Sequence, residues 1–261
     1  MDLPIRIIST DFDGTLHSDH EQPPVPEGLQ VLLGALQQRG AQWVINTGRD
    51  LSSLMEGLGR AQLAIQPDWL VTVEREIHFR EGTRYFPLQP WNGDCERAHR
   101  ELFAAVEKDL PRLYQWVQSR YRATVYSDPY SPFCLIAGNN PDADDIEAHL
   151  RDFCESVPNL TVVRNDVYAR FSHAAYSKGT ALAEITRQLG LTRECVFAAG
   201  DHFNDLPMLR DAHACWLVAP ANAIAPVKEA VWREGGYVSD QLWGHGVADG
   251  LEAALKETGW Q

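Results

Sequence analysis

The sequence predicts an α/β protein: a doubly wound, mainly parallel, Rossmann-like core sheet interrupted by an inserted α+β segment. Three observations predict it. Short apolar runs alternate with helical patterns over residues 1–76, paired short strands between long helices replace them over 77–173, and the first rhythm returns from 174 to 261. A chain of 261 residues with 44% hydrophobic and 23% charged residues has ordinary globular usage. At this size roughly three quarters of the extended chain's surface is buried, enough for one large core or two unequal ones.

The run at 5–11 is almost continuously apolar, as in a strand covered on both faces. A proline-rich loop follows, with Pro26 in the first turn of a helix, Leu29, Leu32, Leu33 and Leu36 on its apolar face, and Gly40 as its cap. A strand at 42–46 comes next, then a short helix capped by Asp50 and ending near Gly57 or Gly59, then a strand at 69–73. Short strands are predicted at 77–79 and 83–86, followed by a helical region at 95–119 that Pro111 breaks or restarts. Strands at 123–126 and 133–137, a helix at 142–155 and strands at 160–164 and 167–171 complete the middle. A helix from Lys178 to Leu189 opens the last part, with Leu182, Ile185 and Leu189 on one face. After it come a strand at 195–199, a short helix from Leu206, a strand at 215–218 and a helix from Ala223. Residues 1–76 and 174–261 are therefore assigned to one core domain and 77–173 to a domain inserted into it.

Charge narrows the partners. Lys and Arg total 23 against 36 Asp and Glu, a net charge of −13, so nucleic acid and anionic membrane surfaces are repelled. An anionic substrate must then be held by a local cation or a metal ion. The five cysteines form no Cys-x-x-Cys pair, and neither a disulfide nor a zinc framework is indicated. The N-terminus does not read as a signal peptide, and the longest apolar stretch, 212–227, is too short to span a bilayer and is interrupted by prolines. A soluble, cytoplasmic monomer or dimer is expected.

Four polar signals fall at strand ends or helix starts of the interrupted domain, where doubly wound sheets place ligands. In Asp11-Phe12-Asp13-Gly14-Thr15 the two carboxylates point to the same side of an extended segment, although Asp-Gly is also a common turn. Asn46-Thr47-Gly48-Arg49 offers a hydroxyl and backbone amides that can hold phosphate oxygens, or an ordinary turn. Lys178 opens a helix behind Ser177, a plausible N-cap; the cation opposes the helix dipole unless an anion lies between them. Gly200-Asp201-His202-Phe203-Asn204-Asp205 follows a strand; Asp205 could simply cap a short helix, whereas Asp201 has no such role, and His202 has no partner at ligand spacing. Clustered carboxylates without metal-spaced cysteines describe an oxygen site for a hard cation, best suited to Mg²⁺. One lysine and one threonine add phosphate binding, and together they point to phosphoryl transfer to an aspartate.

In order and spacing these segments resemble the four motifs of the haloacid dehalogenase-like phosphatases. The insertion of about a hundred residues between the second and third motifs resembles the α/β cap of the Cof-type group. That group is similar to sucrose-phosphate and trehalose-phosphate phosphatases and to phosphomannomutase. The tail segments Val218-Ala219-Pro220-Ala221-Asn222-Ala223 and Gly246-Val247-Ala248-Asp249-Gly250-Leu251 resemble the group's C-terminus. The resemblance implies Asp11 as the nucleophile that forms an aspartyl-phosphate and Asp13 as general acid and then base. It implies Thr47 and Lys178 on the phosphoryl oxygens, with Gly48, Arg49 and Asn204 beside the phosphate or substrate. Mg²⁺ is implied on Asp11, Asp201 and the backbone carbonyl of Asp13, with Asp205 in or just outside the coordination sphere. The implied substrate is a small phosphorylated metabolite, most naturally a sugar phosphate.

One segment departs from the group's pattern. Val73-Glu74-Arg75-Glu76 stands where Asn-Gly-Ala is common, which changes the charge near the substrate mouth. Arg122, Tyr126, Asp128, Arg164, Tyr168 and Arg170 of the inserted domain are candidates for substrate contact or for its own salt links. A phosphomutase or phosphotransferase using the same aspartyl-phosphate is the alternative among enzymes. A non-catalytic, phosphate-responsive sensor is the alternative outside them, and a general acid at Asp13 argues against it.

Overall fold

The structure is a computed structural model in which residues 3–260 are described. The chain begins with β1 (Ile7–Thr10), α1 (Glu27–Gln38), β2 (Gln42–Asn46), α2 (Leu51–Ala61), β3 (Trp69–Thr72), β4 (Glu76–Glu81) and β5 (Arg84–Pro87). The middle holds α3 (Trp91–Val106), α4 (Leu110–Gln118), β6 (Ala123–Asp128), β7 (Ser131–Ala137), α5 (Asn140–Glu155), β8 (Leu160–Asn165) and β9 (Tyr168–His173). The end supplies α6 (Lys178–Gln188), β10 (Val196–Ala199), β11 (Trp216–Ala219), α7 (Ala225–Arg233), β12 (Tyr237–Val238) and α8 (Trp243–Glu257). No helix among the described residues is long and apolar enough to cross a membrane.

Two compact units result, residues 3–88 with 177–260, and residues 89–176. In the larger unit eight strands run in the order β12-β11-β10-β1-β2-β3-β4-β5. The β1, β2, β3, β10, β11 and β12 strands pair in parallel, and β4 and β5 extend the sheet antiparallel beyond β3. All four residues of β1 are buried, Ser9 and Thr10 together with the two isoleucines, as in a strand covered on both faces. The helices seal one face through a cluster that includes Ile8, Leu29, Leu33, Leu36, Trp43 and Leu251. From β1 the chain moves outward through β2 and β3, and after the insertion it returns to β10 on the other side of β1. The carboxyl ends of β1, β2 and β10 therefore meet at the reversal of strand order, where such sheets open a crevice.

The smaller unit has a four-stranded antiparallel sheet, β6-β7-β9-β8. Its core joins Leu113 and Val117 of α4 and Ile146 and Leu150 of α5 to Phe133, Leu135, Ala169 and Phe171 of the sheet. Pro111 lies in the first turn of α4, and a 3-10 turn at Glu107–Asp109 separates that helix from α3, so the break expected there occurs.

Several boundaries differ from the sequence reading. The expected division at 76/77 moves to 88/89, because β4 and β5 pair onto β3 and complete the large sheet instead of opening the insertion. On the return side it moves from 173/174 to 176/177. Helix α2 passes Gly57 and Gly59 and ends at Ala61. No helix starts at Leu206; a 3-10 turn at Phe203–Asp205 stands before it, because Asp205 turns its carboxylate back to the amides of Asp201 and His202 rather than forward.

Helix α6 lies close to the turn that follows Asp205. A Cβ built on Gly179, the residue after Lys178, would stand 2.2 Å from the carbonyl oxygen of Pro207. Gly179→Ala is expected to lower unfolding stability by about 1–3 kcal/mol in urea titration. Unchanged stability would show that this close approach is not a constraint on the fold.

Candidate active site

Lys178 is the first residue of α6 and is completely buried. Ser177 caps the helix by accepting from the Thr180 amide, while the Thr180 hydroxyl accepts from the Ser177 amide at 2.8 Å. The Asn46 side-chain amide, at the end of β2, donates to the Lys178 carbonyl oxygen at 3.0 Å. Thus anchored, the ammonium donates to Asp11 Oδ1 at 2.6 Å and to Asp205 Oδ1 at 2.5 Å.

The two acids reach the lysine from different loops. Asp11 directly follows β1, and its amide donates to the Ala199 carbonyl at the end of β10. Asp205 comes from the turn after β10; its second oxygen accepts from the amides of Asp201 and His202 at 2.8 and 2.9 Å. Asp201 is fixed from the neighbouring loop after β1 by the Thr15 hydroxyl, which donates to its Oδ1 at 2.7 Å. Asn222, in the loop after β11, donates to the Gly14 carbonyl and accepts from the Trp243 amide, both at 2.7 Å, and so braces the Asp11 loop.

One carboxylate oxygen from each of Asp11, Asp201 and Asp205 lies within 4.8 Å of the others. Three carboxylates thus share one ammonium. Burial pushes Asp11 well above the usual carboxylate range, reinforced by Asp205 and Asp201 and opposed by Lys178. Burial, with repulsion from Asp205, likewise raises Asp201 to about 7. Burial works against a charged Lys178, but Asp11 and Asp205 outweigh it and keep the lysine protonated above its ordinary range. Full ionisation of the three acids would therefore leave two negative charges unbalanced. An all-oxygen donor set of this spacing fits a hard divalent cation. Both oxygens of Asp205 are already engaged, so Asp11 and Asp201 are the better placed to hold it.

Asp13 lies outside this trio. Its two oxygens accept from Arg49 Nε at 2.6 Å and Arg49 Nη2 at 2.5 Å, a bidentate fork supported by the Phe12 ring 5.2 Å from the guanidinium. The arginine expected beside the phosphate is thus paired with the expected acid. Thr47 is buried, and its hydroxyl accepts from the Arg49 amide at 3.2 Å, closing the turn that holds Gly48. Asn204 is buried beside Asp205 and donates to Glu74 Oε1 at 3.2 Å. Glu74 and the preceding Val73 adopt φ values of +66° and +44°, a region that costs side-chain-bearing residues about 1–3 kcal/mol each.

Sequence reasoning gave Asn46 no role of its own, placed Glu74 only within a charged segment near the substrate mouth, and did not foresee the bond from Thr15 to Asp201. Thr15 and Asn46 lay inside quoted motifs, and Glu74 inside the segment that departs from the family pattern. In the smaller unit, Arg164 is turned to its own α5, donating to Glu147 at 3.0 Å, to Asn140 at 2.9 Å and to Asp144. Asp128 Oδ1 accepts from the amides of Tyr130 and Ser131 and closes its own hairpin turn. Tyr126, Tyr168 and Arg170 stand together with Cys134 on one side of the sheet, and Arg122 is exposed.

A cation must displace the proton that Asp201 carries below pH 7. Divalent-cation affinity, measured calorimetrically, is therefore expected to weaken by at least about tenfold per pH unit below pH 7, since Asp11 is raised as well, with proton release on binding. Equal affinities at pH 8 and pH 6 would show that the acids are ionised without a cation.

Comparison with known proteins fits this geometry. The family model for sucrose-6F-phosphate phosphohydrolase matches residues 4–253. A 5-amino-6-(5-phospho-D-ribitylamino)uracil phosphatase of Bacillus subtilis is 24% identical, over 98% of this chain and 96% of that protein. A phosphoglycolate phosphatase of Methanoculleus marisnigri is 29% identical, over 95% and 96%. The sucrose-phosphatase of Synechocystis sp. PCC6803, solved in complex with sucrose and phosphate, has the same fold, with a TM-score of 0.71 at 18% identity over 97% of both chains. The chain belongs to the sucrose-6F-phosphate phosphohydrolase family of haloacid dehalogenase-like hydrolases and is a phosphoric monoester hydrolase.

Proposed function

We propose that the protein is a Mg²⁺-dependent phosphatase that hydrolyses a small phosphorylated metabolite, most naturally a sugar phosphate, through a phosphorylated Asp11. The observation that carries this reading is the convergence of Asp11 from the loop after β1, Asp201 and Asp205 from the turn after β10, and Lys178 from the start of α6 on one buried point. Residues 3–88 with 177–260 are read as the catalytic domain and 89–176 as its inserted cap. The cellular setting is read as cytoplasmic.

Asp11 Oδ2 is the oxygen not bonded to Lys178 and is the attacking atom. It forms a bond to phosphorus as the ester P–O bond breaks, and the departing alkoxide takes a proton from Asp13. Asp13, now a carboxylate, removes a proton from water as the water oxygen attacks the phosphorus, and Asp11 is released with inorganic phosphate. Lys178, together with Thr47 and the backbone of the Gly48 turn, supplies fixed donors to the phosphoryl oxygens, where charge develops. Arg49 fixes the plane of the Asp13 carboxylate through its two-pronged contact, and one prong must release for Asp13 to carry the proton it donates. Mg²⁺ held by Asp11, Asp201 and the Asp13 carbonyl, with Asp205 behind them, would screen the nucleophile from the phosphate dianion.

Released phosphate is the test, measured over a panel of phosphorylated metabolites with and without Mg²⁺. Asp11→Asn is expected to lower turnover by about 10⁴-fold or more. A variant as active as the parent overturns the nucleophile. Isomerised sugar phosphate without phosphate release would indicate a mutase, and a long-lived phosphoprotein without turnover a sensor. Arg49→Lys keeps the charge but loses the fork. It is expected to slow alkyl phosphates, whose leaving group needs a proton, by a larger factor than p-nitrophenyl phosphate. Equal slowing of both would show that Arg49 does not act through Asp13.

A further inference from the structure

Helix α2 carries two glycines, Gly57 and Gly59, although glycine is the weakest helix former after proline. Gly59 is exposed, and a Cβ built on it would meet nothing within 4 Å. Gly57 is buried, and a Cβ there would stand 3.0 Å from Arg49 Nη1 and 3.1 Å from Cε1 of the Phe12 ring. Both positions weaken the helix, but only at Gly57 does the missing side chain make room for a neighbour.

That neighbour is the guanidinium that holds Asp13. Its Nε and Nη2 donate to the two Asp13 oxygens, while its third nitrogen, Nη1, donates to the Ser53 carbonyl at 3.3 Å, one turn of α2 before Gly57. The Phe12 ring lies 5.2 Å from the guanidinium carbon. Phe12 is wholly buried and is itself backed by the His17 ring, stacked at 4.9 Å with 18° between the planes, so it cannot retreat. The bare surface of α2 at Gly57, the Ser53 carbonyl and the Phe12 ring thus form a cradle for one planar group.

Resting on the phosphatase reading above, we propose that Gly57 is a positioning residue for proton transfer: the cradle it leaves open lets Arg49 aim Asp13 at the leaving oxygen. A guanidinium is rigid, so its three nitrogens move together. A carbon 3.0 Å from Nη1 is inside van der Waals contact, and relieving it swings Nε and Nη2 away from oxygens that they meet at 2.6 and 2.5 Å. Held in the cradle, Arg49 can release one Asp13 oxygen to carry the proton and keep the other in place. Displaced, it leaves the acid without a fixed direction, and proton transfer is sensitive to such misplacement.

The test reads kcat/KM for p-nitrophenyl phosphate, whose leaving group departs as a stable anion, and for the fastest of glucose 6-phosphate, sn-glycerol 3-phosphate and 2-phosphoglycolate. The proteins are the parent, Gly57→Ala, Gly59→Ala, Arg49→Lys and the double variant Gly57→Ala with Arg49→Lys. The readout is the ratio of alkyl to nitrophenyl ester within one protein, so that a general loss of activity cancels. Gly57→Ala is expected to lower that ratio by about tenfold, and Gly59→Ala to leave it within about twofold while raising the urea midpoint. Beside Lys at position 49, Gly57→Ala is expected to change the ratio by less than about twofold, because the group it displaces is gone. A ratio unchanged by Gly57→Ala, lowered equally by Gly59→Ala, or lowered again in the Arg49→Lys background overturns the assignment and leaves the phosphatase reading standing. If Gly57→Ala alone does not fold, circular dichroism of the double variant decides: it is expected to fold, and a double variant that also fails places the constraint elsewhere and overturns the assignment. A parent that cleaves only the nitrophenyl ester overturns the assignment alone, since it has no proton for Gly57 to direct. A parent that releases no phosphate from any of the four esters overturns both.

Discussion

A single buried ammonium organises the site. Lys178 is wholly removed from solvent, and so is Asp205, one of its two partners; Asp11, the other, is nearly so. Taking such charges out of water is costly, and losing one member of a buried pair costs about 3–5 kcal/mol. The lysine therefore cannot leave the two acids, and the loops that carry them cannot leave each other. Because Asp11 follows β1, Asp205 follows β10 and Lys178 opens α6, one cation fixes the strand-end crevice and the start of the helix packed beside it.

The neighbouring bonds extend that constraint without adding a net positive charge. Asn46 ties β2 to the lysine's carbonyl, Thr15 ties the Asp11 loop to Asp201, and Asn222 ties the same loop to the segment after β11. Each uses a neutral donor, so the excess of carboxylates survives in the finished fold. That excess raises Asp11 and Asp201 above the ordinary carboxylate range. A rigid, electron-rich pocket is suited to a hard cation and a phosphoryl group, since phosphoryl transfer depends chiefly on positioning and fixed charge. The chain's overall excess of acids gives an anionic ester no long-range attraction, and its binding must be local.

Much of this was legible in the residue order. The short strand at β1, the cap at Asp50 and the proline break at 111 each have a local physical cause and appear where the pattern puts them. The four polar segments were legible as strand-end loops, since their place follows from the alternation alone. The edge of the insertion was not, because β4 and β5 have the short-strand pattern of the strands that follow, and only pairing with β3 assigns them to the larger sheet. Helix α8 escaped notice because Gly244, Gly246 and Gly250 lower its intrinsic propensity; a Cβ on Gly250 would lie 2.5 Å from Val218, so the packing against β11 requires what the propensity penalises. Side-chain pairings were invisible for a different reason. Arg49 and Asp13 are 36 residues apart, and a basic residue beside a phosphate-type turn reads as an anion ligand until its actual partner is seen.

The central claim is that Asp11, from the loop after β1, and Asp205, from the turn after β10, share Lys178, while Asp201 joins Asp11 on one divalent ion, so that Asp11 can accept a phosphoryl group. A crystal structure grown with Mg²⁺ and beryllofluoride, which mimics a phosphorylated carboxylate, tests it most directly. The account predicts beryllium bonded to Asp11 Oδ2 and one Mg²⁺ shared by Asp11 and Asp201, with Lys178 still bridging Asp11 and Asp205. Beryllofluoride on another residue, or a metal that ligates neither Asp11 nor Asp201, would contradict it.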